Sequence, residues 1–198
     1  MKYDPQKHHR RSIRLRGYDY SQMGAYFVTL CTHDRECLFG EIRAGAMDCN
    51  AVGKIVTAGW AQLPNHFRNI ELDSFVVMPN HLHGIVVITH APAYDTRRGK
   101  ALADTNANRV TRANANALPL PPMPHGTQPR SLNAIVQNFK SITARRIHKS
   151  ASHADQPIWQ RNYYEHIIRS DAALERIRAY IENNPANWMQ DENYRNRA

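Results

Sequence analysis

The sequence predicts an α+β fold with elements in the order β-α-β-β-α-β and one helix added at the C-terminal end, the split-βαβ or ferredoxin-like pattern. Three observations carry this expectation. Apolar and β-branched runs of strand length alternate, in that order, with stretches of helical periodicity along the 198-residue chain. Turn chemistry at Pro79-Asn80 divides one long apolar run into two strands, because an inner strand excludes proline. Residues 91–130 hold six of the eleven prolines beside the Ala/Asn-rich "ADTNANRVTRANANA", and so interrupt the pattern without adding an element to it.

The elements follow in turn. "AYFVTLCT", residues 25–32, is aromatic and β-branched and reads as the first strand. From Ala51, "AVGKIVTAGWAQLPNHF" places Val52, Ile55, Val56 and Trp60 at helical spacing. "ELDSFVVM" and "HLHGIVVIT" form the hairpin around Pro79-Asn80. Beyond the insertion, Ser131 caps "LNAIVQNFKSITARRIH", whose Leu132, Ile135, Phe139 and Ile142 share a face. "NYYEHIIR" is a short strand, and Ser170 caps "DAALERIRAYIENN", which Pro185 ends. Leu174, Ile177 and Ile181 make the stripe that this last helix buries.

Two imidazoles stand in the most apolar of these segments. Side chains alternate across a strand, so His81 and His83 share one face while Leu82 points into the core. Taken alone, the pair fits an inert hydrogen-bonded couple as well as the start of a metal site. On the last helix, Tyr180 and Asn184 are four residues apart, neighbours on one face at the flank of the buried stripe. That position suits groups presented into a cleft, and equally a core-edge aromatic with a C-terminal cap.

Charge and cysteine usage bound the rest. The net charge is +9. Residues 1–16 carry six Lys/Arg against one Asp, and residues 91–130 six against two, so the remainder is neutral. Basic segments around a neutral body point to a polyanion, with Arg10, Arg11, Arg14 and Arg16 as candidate DNA-binding residues. Cys31, Cys37 and Cys49 lack metal-ligand spacing and read as free thiols of a reducing cytoplasm. No apolar run has the length of a membrane span, and no signal peptide is expected. The expected organisation is a basic arm over residues 1–23, a single domain over 24–185 interrupted at 91–130, and a tail over 186–198.

In chain order, "FVVMPNHLHGIVVI", "SLNAIVQNFKSITARRI", "IWQRNYYEHIIR" and "YIENNP" resemble the single-tyrosine HUH transposases of insertion-sequence type, most closely the REP-associated tyrosine transposases. The likeness runs from about Gly24 to Pro185, the insertion excepted. It implies a ferredoxin-like fold and divalent-metal-dependent cleavage and rejoining of single-stranded DNA that contains hairpin or palindromic elements. It implies Tyr180 as the nucleophile and His81, His83 and Asn184 as metal ligands. It also implies a 5′-phosphotyrosine intermediate and a free 3′-hydroxyl. Mixed nitrogen and oxygen ligation suits Mg²⁺ or Mn²⁺. The protein is expected to act as a monomer or a homodimer.

Tyr163 and Tyr164 are rival nucleophiles, but adjacent strand residues face opposite ways, so only one can reach the histidine face. Packing or DNA stacking suits them better. Glu165 and His166 are polar enough to approach the site and stay unassigned. The tail "ANWMQDENYRNRA" is expected either to pack across the site or to hold the final helix. Two other classes remain open at this point. A zinc hydrolase would use the same histidines with a third His, Asp or Glu and without Tyr180. A non-catalytic nucleic-acid binder on a ferredoxin-like sheet would lack the RRM signature, which is absent here.

Overall fold

The computed structural model describes residue 15 and residues 17–89, 127–150 and 156–194. Arg10, Arg11, Arg14 and Arg16 therefore lie outside the described residues, as does most of the expected insertion.

Strands β1 (Gly24–Cys31), β4 (Ile70–Met78), β5 (His81–Ile88) and β6 (Tyr164–Ile168) form one sheet in the order β4-β5-β1-β6, each neighbouring pair antiparallel. Numbered among themselves the four core strands lie 2-3-1-4, the ferredoxin-like order that the sequence predicts. Alternation along the strands divides the core in two. Tyr26, Val28 and Leu30 of β1, with Leu82, Val86 and Ile88 of β5, face helices α1 (Ala51–Ala61) and α3 (Leu132–Ser150). On the other face Phe27, Ile85 and Ile168 meet Ile181 of α4 (Asp171–Asn183), with Leu174 and Ile177 alongside. The predicted stripe is the one buried.

The caps are those expected. Ser131 Oγ accepts from Ala134 N, and Ser170 Oγ from Ala173 N. The helix expected from Ala51 to Phe67 divides at Gln62 into α1 and the single turn α2 (Leu63–His66). Pro64 is the cause, since it has no N–H to continue the ladder to Trp60.

One element is absent from the sequence-based expectation. β2 (Gly40–Arg43) and β3 (Ala46–Cys49) pair as a separate hairpin before α1. Its turn places Ala44 at φ 49° and Gly45 at φ 77°. Both central residues are left-handed, as in a type I′ hairpin turn, a conformation that alanine adopts only at a cost.

Candidate active site

His81 and His83 open β5 immediately after the Pro79-Asn80 turn, both on the α4 side of the sheet and both fully buried. Their Nε2 atoms converge to 2.9 Å. Each ring is fixed from behind through Nδ1. The Asn80 amide group donates from Nδ2 to the Arg35 and Asn193 carbonyls, so its Oδ1 is the acceptor, 2.9 Å from His81 Nδ1. His81 thus carries its proton on Nδ1 and presents a lone pair at Nε2. His83 Nδ1 lies 2.9 Å from Thr29 Oγ1, a hydroxyl that can donate or accept. Burial, reinforced by His83 alongside, lowers the His81 imidazole to about 3. It is therefore neutral, as a ligand must be.

α4 brings Tyr180 and Asn184 to the same point, as their spacing predicts. The Tyr180 hydroxyl is 3.3 Å from His83 Nε2, and its ring stands edge-on to Phe27 and His83. Asn184 is buried at the end of the helix. Its Nδ2 donates to Asp191 Oδ2 at 2.8 Å, while its Oδ1 is buried without a hydrogen-bond partner among the described residues.

Asp191 is the group that sequence reasoning missed. After α4 a short 3₁₀ turn, Trp188–Gln190, folds the tail back across the site, the first of the two roles expected for it. Trp188 lies against His81 with ring centroids 5.9 Å apart. Asp191 Oδ2 then accepts from Asn184 Nδ2 and, at 3.3 Å, from the Tyr180 hydroxyl, and comes within 3.8 Å of His83 Nε2. Its Oδ1 accepts from the Asn193 amide. Burial opposes ionisation, but His83, Asn184 and the Asn193 N–H outweigh it and hold the carboxyl well below the usual range. Burial first, and then the facing Asp191 carboxylate, push the Tyr180 phenol above its ordinary value.

The donor set fits a divalent cation. His81, His83 and Asp191 offer ligand atoms all within 4.8 Å of one another, and the unpartnered Asn184 oxygen belongs to the same cluster of side chains. Two imidazoles, an amide oxygen and one carboxylate are the mixed nitrogen and oxygen donors that divalent cations take. An open pocket of about 310 Å³ adjoins this cluster, bounded by Tyr180, Asn183, Asn184, Asn187, Gln190, Asp191 and Glu192.

The rival tyrosines separate as alternation requires. Tyr163 packs toward the helix-side core, and its hydroxyl donates to Asn133 Oδ1. Tyr164 lies on the site face, half exposed. Glu165 is buried on the side opposite the site, in register with Val28, and His166 is exposed on the site face, opposite Phe27. Cys31, Cys37 and Cys49 are in the thiol form. Among the described residues no helix is long and apolar enough to cross a membrane.

Comparison with known proteins agrees with this geometry. Residues 126–184, which include Tyr180 and Asn184, match the family described as "Transposase IS200 like". The chain is 40% identical over 193 residues to a protein of Haemophilus influenzae described as uncharacterized, covering 98% of this chain and 97% of the relative. It is similar in fold to a REP-associated tyrosine transposase solved in complex with a REP hairpin. That likeness has a TM-score of 0.55 at 15% identity and covers 89% of this chain and 74% of the other. The ferredoxin-like sheet is thus shared with that solved structure, and the segment that carries the helix-borne Tyr180 is the one similar to the IS200-like transposases.

Proposed function

We propose that the protein is a metal-dependent single-strand endonuclease and strand transferase acting on hairpin-containing, REP-like DNA through a 5′-phosphotyrosine on Tyr180. His81, His83 and Asn184 hold the cation, Mg²⁺ or Mn²⁺. The observation that carries the reading is the placement of the Tyr180 hydroxyl 3.3 Å from His83 Nε2, which is itself 2.9 Å from His81 Nε2, with the unpartnered Asn184 oxygen one helical turn on. The solved relative is bound to a REP hairpin, and that supports the choice of substrate.

A bound divalent ion supplies Lewis-acid polarisation of the scissile phosphate and favours the phenolate. The protein's own groups do the rest. Phe27 and His83 hold the Tyr180 ring edge-on, which limits where its oxygen can point. Tyr180 Oη attacks phosphorus as it gives up its proton, the P–O3′ bond breaks, and the departing deoxyribose 3′-oxygen takes a proton from solvent to become a 3′-hydroxyl. Asp191 Oδ2, which already accepts a hydrogen bond from that phenol, is placed to receive its proton. Because the phosphodiester is exchanged rather than hydrolysed, attack by another 3′-hydroxyl restores Tyr180 and rejoins the strand.

The zinc-hydrolase reading gains one specific observation, since Asp191 supplies the third ligand that such a site needs. It leaves the Tyr180 hydroxyl and the Asn184 oxygen without a task. Incubating the protein with Mn²⁺ and a labelled, hairpin-bearing single strand separates the two. A covalent protein–DNA band on a denaturing gel, absent in Tyr180→Phe and mapped to the "AYIENNPANW" peptide, is the expected result. Cleavage without an adduct would instead assign the chemistry to water and the hydrolase class.

A further inference from the structure

Among the described residues five large apolar side chains are exposed, and two of them, Tyr164 and Tyr180, flank the same ring. Phe27 stands edge-on to both, with centroids 6.3 Å from Tyr164 and 6.1 Å from Tyr180. The register explains the arrangement. His83 pairs with Thr29 across β5 and β1, and Thr29 pairs with Tyr164 across β1 and β6. The three side chains make one row on the site face. Neighbouring strands are about 4.8 Å apart, so Tyr164 stands about 10 Å to the side of His83. That is one to two nucleotides along an extended strand.

α4 covers this face only in part. Its apolar stripe seats on Phe27, Ile85 and Ile168, while Tyr164 at the edge strand stays half exposed. The edge is also held in place. Lys140 Nζ donates to the Gln160 and Asn162 carbonyls at 2.8 and 2.9 Å, which fixes the bend that leads into β6. Arg161 within that bend and Arg169 just past the strand are exposed, so a cation stands at each end of Tyr164's strand. An exposed aromatic ring, on a strand with an exposed arginine beyond each end and in one row with the candidate centre, has the chemistry of a single-strand stacking platform. Tyr163, with its hydroxyl bonded and its ring under Lys140, has no such freedom.

We propose that Tyr164 is a positioning residue that stacks the nucleobase one or two steps from the scissile phosphate, and so sets that phosphate against Tyr180. This rests on the single-strand transferase reading. The test is binding in EDTA, where the strand stays uncut, read by fluorescence anisotropy. The ligands are a hairpin-bearing single strand and copies with one abasic position stepped along the three nucleotides on each side of the cut. One abasic position should weaken wild-type binding about tenfold. Tyr164→Ala should weaken binding of the intact strand by a similar factor and be indifferent to that position. Tyr164→Phe and Tyr164→Trp should bind like the wild type, because stacking needs the ring and not the hydroxyl. Equal loss at the abasic position in wild type and Tyr164→Ala overturns the stacking role and leaves the transferase reading intact, as does a Phe variant as weak as the Ala variant. Failure of the wild type to bind any of the strands overturns both.

Discussion

Thr29 is bonded through its hydroxyl to His83 Nδ1 at 2.9 Å, in the centre of the sheet where neither group meets solvent. The partner of a ligand's second nitrogen decides which tautomer the ring adopts, and loss of such partners typically weakens metal binding about 10- to 100-fold. Thr29→Val keeps the shape and deletes the partner. We expect it to raise the Mn²⁺ concentration for half-maximal cleavage within that range and to lower thermal stability only slightly, which a metal titration with a melting curve would check. His81→Ala and His83→Ala remove the proposed ligands and should abolish cleavage while sparing most DNA affinity, since phosphate contacts supply the bulk of it. Wild-type cutting by either variant across a Mg²⁺ and Mn²⁺ titration would falsify the assigned site. This part of the centre was legible in the sequence: two histidines around Leu82 share a face by strand geometry, and Tyr180 and Asn184 by helix geometry. Asp191 was not. It lies beyond Pro185, in a tail without periodicity, and reaches the site because Trp188 and Asn193 find partners in His81 and Asn80.

α4 must hold its angle for Tyr180 to face His83, and at its middle it is tied to the neighbouring edge strand. Arg178 makes a two-pronged contact with Asp73 of β4, at 2.9 and 2.5 Å, beside the irregularity between Leu72 and Phe75. The hydrogen bonds from Arg178 lower the Asp73 carboxyl to about 2 against an ordinary value near 3.9. A depressed carboxyl contributes stability that is complete above about pH 4 and lost as the pH falls through 2. We expect wild type to lose part of its stability across that window. Asp73→Asn should flatten that part of the acid limb in urea unfolding followed from pH 2 to 6. At this scale the sequence was legible wherever an element had its own signal, as the serine caps and the Pro79-Asn80 turn do. The β2–β3 hairpin lacked one, because its turn uses Ala44 where asparagine or glycine would announce a left-handed residue. The break in the helix after Ala61 has its signal in Pro64, which the apolar periodicity running on to Phe67 masks.

Over the whole molecule the basic excess lies on residues 1–16 and 91–130. Deleting residues 1–16 should weaken DNA binding and reduce the slope of log K against log salt by roughly 0.7 for each single-strand phosphate that the arm neutralises. Affinities measured from 50 to 300 mM salt would read this, and an unchanged slope would make the arm a bystander. The sheet order has a different consequence. The central strand β1 pairs with β5 on one side and β6 on the other, and the chain between Thr89 and Thr127 separates those two partners in sequence. His81 and His83 come before that stretch, and Tyr180, Asn184 and Asp191 after it. A gene divided there would encode two polypeptides, one carrying the imidazoles and the other the proposed nucleophile, and neither should cut alone. Mixed together, they have the α1–α3 and β1–β6 surfaces to reassemble on, and activity should rise with the product of their concentrations. Complementation between a His83→Ala first fragment and an intact second fragment should fail, and the reciprocal pairing with Tyr180→Phe should fail as well.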